Sequence, residues 1–324
     1  MSAVARAASP SPAASPTPSA TISPTPTPAP TPVLHAATPP PVYPLVNSCN
    51  PASVPEALPV VAPPSGKSAT FAMHVPILMY HRIVPTALAG DSIRGLVVPP
   101  ATFSAQLDAL QQAGWHTITM GQLANDLQAQ VRPPARTFVI TIDDGWDDGY
   151  NYALPILGKH GYVATFYVIA GRIDLGGFLS TAELQALVAS GDEIGDHTMD
   201  HLGMSRLPAA KLTYEVDAAA ARIAQATGRW PASLAYPSGV WDNAASAAVQ
   251  ACQELRMAVI EEPPTPKPAP THSPGSKATP APSPIRPMAA LETWANRFVV
   301  PRIRVTPSTT PARLVGTLEP FRAG

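Results

Sequence analysis

Residues 138–144 read FVITIDD, and this stretch decides the fold. Apolar and β-branched residues run without a polar break and then stop at two acids. A strand with one wet face alternates apolar and polar residues, whereas one covered on both faces reads as a continuous apolar run. Two carboxylates at its end suit a central parallel strand that delivers side chains to a site at its carboxyl end.

Working outward, strand and helix signals alternate with short links. Residues 75–81 (VPILMYH) predict a buried strand. Residues 102–114 predict a helix with Phe103, Leu107 and Leu110 on one face, Thr102 as its cap and Gly114 as its stop. Residues 116–120 predict a short strand and 121–130 a second helix. After 138–144 come a helix over 146–159, a strand over 164–170, and a helix over 181–190 capped by Thr181. Next are a strand over 193–198 and a long amphipathic helix over 208–227, stopped by Gly228. The series ends with strand 233–237, helix 242–253, strand 256–260, and, beyond a proline tract, strand 298–305 and helix 310–318. Such alternation predicts a parallel α/β sheet covered by helices, either closed as a barrel or open and doubly wound.

Proline sets the boundaries. Of 42 prolines in 324 residues, 18 precede Ser65 and another 10 lie between Pro263 and Pro287. Those stretches hold mainly Ala, Thr, Ser and Pro and cannot bury enough apolar area to offset ordering entropy. The expectation is a disordered tail over 1–66 and one domain over 67–324, with a disordered insert at 263–288. Net charge is −1 with no basic cluster, so nucleic acid is excluded as a partner. No segment reads as an integral membrane span. The two cysteines, Cys49 and Cys252, fit either a disulfide in an oxidising compartment or two unrelated thiols. Residues 1–20 lack the apolar run of a secretory signal. The Thr-Pro/Ser-Pro tract from Ser9 to Pro32 is nevertheless typical of stalks on exported proteins. The expectation is an extracellular or envelope protein whose leader lies upstream or has been trimmed.

Three places carry chemistry. In Thr141-Ile142-Asp143-Asp144-Gly145, adjacent carboxylates can divide into a metal ligand and a base; alone, the pair reads equally as an acidic turn opening a helix. In His197-Thr198-Met199-Asp200-His201, imidazoles at i and i+4 can converge on one ion; alone, they are two ordinary histidines. Tyr236-Pro237-Ser238-Gly239 is by itself only a turn, whose backbone N–H can point into a site. Together they say more. Asp144 precedes His197 by 53 residues, about two βα units, and all three segments end predicted strands. One Asp and two His form a good divalent-ion set that leaves positions open for water and substrate.

With those motifs, the chain resembles the NodB-type polysaccharide deacetylases, carbohydrate esterase family 4. TIDDG at 141–145 matches the first family motif and HTMDH at 197–201 the second. The opening Pro76-Ile77-Leu78-Met79-Tyr80-His81 and the late Pro301-Arg302-Ile303-Arg304-Val305 resemble the branch of exported poly-β-1,6-N-acetylglucosamine deacetylases. The resemblance implies a distorted (β/α) barrel of about seven parallel strands. It implies a monomeric hydrolase that removes acetyl groups from an N-acetylated polysaccharide: peptidoglycan, a chitin-like chain or poly-N-acetylglucosamine. Asp143 would be the general base and His81 the general acid, and the Ser238 N–H would face the oxyanion. Asp144, His197 and His201 would hold the metal, zinc by preference, although cobalt, nickel and iron take the same ligands. Tyr236, Pro237 and Trp241 would contact substrate.

The sequence departs from the family pattern at Ala235, near which an arginine usually orients the catalytic aspartate. That gap motivates one alternative, a non-catalytic carbohydrate-binding relative held at the cell wall. A second alternative keeps the fold and metal but hydrolyses a non-sugar amide.

Overall fold

The computed structural model describes residue 49 and residues 71–89, 95–261, 292–293 and 296–323. Apart from Cys49, the proline-rich stretches expected to be disordered lie outside the described residues. The strands are β1 (Ala72–Met73), β2 (Ile77–Tyr80), β3 (His116–Ile118), β4 (Thr137–Ile142), β5 (Thr165–Val168) and β6 (Glu193–Asp196), followed by β7 (Ser233–Ala235), β8 (Met257–Ile260), β9 (Glu292–Thr293), β10 (Val300–Pro301) and β11 (Ile303–Arg304). The helices are α1 (Pro100–Gln112), α2 (Met120–Ala129), α3 (Leu154–His160), α4 (Thr181–Ala189), α5 (Ala209–Thr213), α6 (Ala219–Thr227), α7 (Asn243–Ala251) and α8 (Pro311–Leu318).

One sheet runs in the order β10-β8-β7-β6-β5-β4-β2-β11, with β3 beside β4. Every pairing in it is parallel. β10 and β11 are one run of chain interrupted at Arg302. That run pairs with β8 on one side and β2 on the other, so it closes the sheet into a barrel. The path has eight strands; counting β10 and β11 as one stave leaves seven. The expected strand over 298–305 is thus two short pieces broken at Arg302, the residue whose side chain reaches Asp143.

Period-two alternation explains what the barrel positions. Ile77, Val139, Tyr167, Ala235, Met257, Val259 and Val300 share one apolar cluster, to which α2 adds Met120, Leu123 and Leu127. Leu78, Tyr80, Phe138, Ile140, Ile142, Phe166 and Val168 belong to another, shared with the helices. Continuing in steps of two carries Ile77 to His81, Val139 to Asp143 and Val259 to Glu261 at the carboxyl ends, and Gly195, which lies against Tyr167, to His197. All six residues of β4 are buried, and each large apolar side chain so covered is worth roughly 1.5–3 kcal/mol.

Some boundaries move for local reasons. α1 starts at Pro100 after Pro99, and Thr102 lies within its first turn and does not cap it; proline at N1 is pre-set for helix. α4 is capped by Ser180, not Thr181, because Ser180 and Glu183 form a reciprocal capping box. The helices expected over 146–159 and 208–227 both contain a π-helical turn, at Gly149–Ala153 and Tyr214–Ala218.

Cys49 and Cys252 form a disulfide across 203 residues of sequence. Both are buried in the cluster of Trp230, Leu255 and Phe298. Replacing Cys252 by Ser is expected to cost about 2–4 kcal/mol. Thermal melts with and without reductant check this: the wild type should fall to the variant's Tm under reduction, and equal melts throughout would show that no bridge forms.

Candidate active site

The first acidic pair follows β4. Asp144 and Gly145 both take left-handed backbone (φ 77° and 72°). Asp tolerates that region, and Gly145 is required there, since a Cβ would lie 3.0 Å from the Val168 Cβ. The turn brings Asp144 Oδ1 to 3.6 Å from His197 Nε2 and 3.4 Å from His201 Nε2. Asp144 Oδ2 accepts from Trp146 Nε1 at 3.1 Å, leaving Oδ1 to face the two imidazoles.

His197 follows β6. Its Nδ1 lies 2.8 Å from the Ala235 carbonyl oxygen, which fixes the proton on Nδ1 and leaves Nε2 as the free donor atom. His201 sits on a turn with left-handed Thr198 and His201 (φ 64° and 60°), and its N–H donates to Thr198 Oγ1 at 3.1 Å. The imidazole centres are 4.8 Å apart. Asp144, His197 and His201 each offer one ligand atom, all within 4.8 Å of one another. One oxygen and two nitrogens around a single point fit a divalent ion of zinc type.

Charge supports that fit. Burial opposes ionisation of Asp144, but the His197 hydrogen bond and the imidazole charges hold its carboxyl well below the usual range. Burial would lower His197, yet Asp144 and Asp143 raise it. His201 is lowered to about 4 by burial and by His197. A bound cation would compete with these protons, since a ligating imidazole must be neutral.

Asp143 is fully enclosed and locked by Arg302, with Nη1–Oδ1 at 2.6 Å and Nη2–Oδ2 at 2.7 Å. Arg302 Nη1 also donates to Thr141 Oγ1 at 3.0 Å. Burial would raise the Asp143 carboxyl, but Arg302 and His197 hold it below its ordinary value. The arginine absent at Ala235 is thus matched by one from the closing strand. Sequence reading missed this role for Arg302. The signal was an arginine flanked by apolar residues in a predicted strand, because a buried guanidinium needs a carboxylate partner.

His81 follows β2, is buried, and has Nε2 4.0 Å from Glu261 Oε1. Burial lowers its pKa, opposed by Asp143 and Asp144. Ser238 is exposed and left-handed (φ 54°), and its N–H has no partner among the described residues. Asp144, His201 and Ser238 all hold the backbone that non-glycine residues rarely adopt, which clusters at functional sites. Tyr236 and Pro237 pack in the interior. Both lie beneath the turn that carries Ser238. Trp241, 6.0 Å from Tyr236 and half-buried, stands at the rim.

Residues 130–257 match the family model described as Polysaccharide deacetylase. YxkH of Bacillus subtilis (strain 168), assigned to the polysaccharide deacetylases by name only, is 34% identical over 133 residues, 41% of this chain and 45% of YxkH. The uncharacterised YlxY of the same organism is 31% identical over 113 residues, 34% of this chain and 33% of YlxY. The chain spans less than half the length of these curated relatives. Among solved structures, it is similar to the Streptococcus pyogenes deacetylase PplD in complex with acetate (TM-score 0.62, 24% identity, 77% of this chain and 100% of that one). It is also similar to IcaB from Ammonifex degensii (TM-score 0.56, 21% identity, 76% and 97%). These structural likenesses establish a shared fold.

Proposed function

We propose that this chain, which carries a polysaccharide deacetylase domain, hydrolyses N-acetyl groups on an amino-sugar polysaccharide and releases acetate in a metal-dependent reaction. The observation that carries the reading is the convergence of Asp144, His197 and His201 beside an Asp143 locked by Arg302. The deacetylase names of YxkH and PplD support the same chemistry.

A divalent ion, zinc by preference, would be held by Asp144, His197 and His201, where it would polarise the amide carbonyl and acidify water. Asp143 accepts the proton of the attacking water. Arg302 fixes both Asp143 oxygens so that the base cannot rotate away. The unpartnered Ser238 N–H donates to the oxygen on which negative charge develops. His81 protonates the departing amine, with Glu261 and the aspartates opposing the effect of burial on its charge. Trp241 contacts the polymer at the rim. The non-catalytic alternative loses its motive once Arg302 supplies the missing guanidinium. The buried disulfide supports an oxidising compartment outside the cytoplasm, and we assign a monomer.

Acetate release from peptidoglycan, chitin oligomers and poly-β-1,6-N-acetylglucosamine, with and without chelator, tests the function; no release from any of them by metal-loaded protein would end it. His81→Ala should lower kcat by about 10²-fold or more while the metal stays bound. The loss should be smaller with an activated ester, whose leaving group needs no proton. Near-normal amide turnover by a folded, metallated variant would rule His81 out as the acid.

A further inference from the structure

Beside the Asp144 cluster stands a wall of four stacked side chains. Arg82 lies over the Trp146 ring, 4.4 Å from its centre. Trp146 stacks on Phe178 at 4.4 Å with 24° between the planes. Arg172 lies over Phe178 at 4.9 Å. Trp146 ties this wall to the cluster through its bond to Asp144, and a backbone bridge pairs it with Phe178. Each ring has two faces. Trp146 and Phe178 cover one face of each other, so the guanidinium groups take the remaining two. The wall therefore offers a ligand cations and no open aromatic face.

The two arginines differ. Arg82 is committed to Asp148, which also accepts from the Ile83 N–H. Arg172 makes no hydrogen bond or ion pair among the described residues beyond its stacking. The acid two residues on, Asp174, is taken by Arg222 and Thr181. Among the described residues Asp148 is the ion-pair partner of Arg82, and Arg172 has none. It is also held in place. Ala170 N and Gly171 N donate to the Thr198 and Met199 carbonyl oxygens at 3.0 Å, within the loop that carries His197 and His201. Gly171 permits that approach, since a Cβ there would lie 2.7 Å from the Met199 oxygen.

We propose that Arg172 is a specificity-determining residue that binds a carboxylate on the glycan, carried either by the sugar that loses its acetyl group or by its neighbour. The assignment rests on the deacetylase reading above and narrows it to acidic amino-sugar polymers. A guanidinium presents paired N–H donors that match the two oxygens of a carboxylate. A neutral N-acetylglucosamine chain offers it only hydroxyls and amides.

The test uses the full chain loaded with zinc, as wild type and as Arg172→Gln, and three soluble oligosaccharides. One alternates N-acetylglucosamine with N-acetylmuramic acid, whose lactyl ether carries a carboxylate. The second is its carboxyl methyl ester, and the third alternates N-acetylglucosamine with glucuronic acid. Calorimetric titration reads binding, and acetate release reads turnover. Wild type should bind at least one acidic oligosaccharide about tenfold more tightly than the ester. In Arg172→Gln that ratio should fall to about one with zinc still bound. The acid preferred tells which sugar carries the recognised carboxylate. Equal binding of acid and ester by wild type, a preference that survives in R172Q, or loss of zinc from R172Q would overturn the proposal. An acid preference without acetate release would uphold Arg172 and sink the deacetylase reading; release without preference would do the reverse.

Discussion

Asp143→Asn is expected to lower acetate release by about 10⁴-fold, the upper end of what a positioned proton-transfer group contributes. An amide cannot take the proton of the attacking water. The substitution also turns one of the two carboxylate acceptors facing Arg302 into a donor. Breaking a buried ion pair costs about 3–5 kcal/mol, so the variant should melt lower, and circular dichroism at the assay temperature must show it folded. Arg302→Lys separates positioning from chemistry. It keeps the charge but loses the fork that holds both oxygens. Its kcat should fall with little change in KM. Because Arg302 holds the Asp143 carboxyl low, weakening that grip should move the acidic limb of the kcat/KM profile to higher pH. An unmoved limb with normal turnover would remove Arg302 from the positioning role.

His197→Ala should abolish turnover by abolishing the ion site. Loss of an outer hydrogen-bond partner already costs a metal site about 10–100-fold in affinity, and loss of a ligand should exceed that. Metal analysis after dialysis should find about one ion per wild-type chain and almost none in His197→Ala. Asp144→Asn should behave similarly, because it removes the only carboxylate of the set. Full metal occupancy in both variants would place the ion elsewhere.

Much of this arrangement was legible because the barrel writes its core into strands of period two. The run at 138–144 names its own inner positions, and the same arithmetic carries to His81 and His197. Helix boundaries were less legible. Periodicity of 3.6 does not register the extra residue of a π turn, so the segments at Gly149–Ala153 and Tyr214–Ala218 read as plain helix. Arg302 was hidden for another reason. Its partner lies 159 residues away: an arginine among apolar residues signals that a carboxylate must meet it, but not which one. The stack from Arg82 to Arg172 joins three separate loops, and only the folded chain brings them together.

Acetate release from one N-acetylated oligosaccharide is the most direct test of metal-dependent hydrolysis at the Asp143 site. It is measured on a single preparation as purified, after chelator stripping verified by metal analysis, and after reloading with zinc. Release should stop on stripping and return on reloading, and Asp143→Asn carried through the same steps should stay near background in all three states. Turnover that persists in stripped protein, or that Asp143→Asn matches when fully loaded, would contradict it.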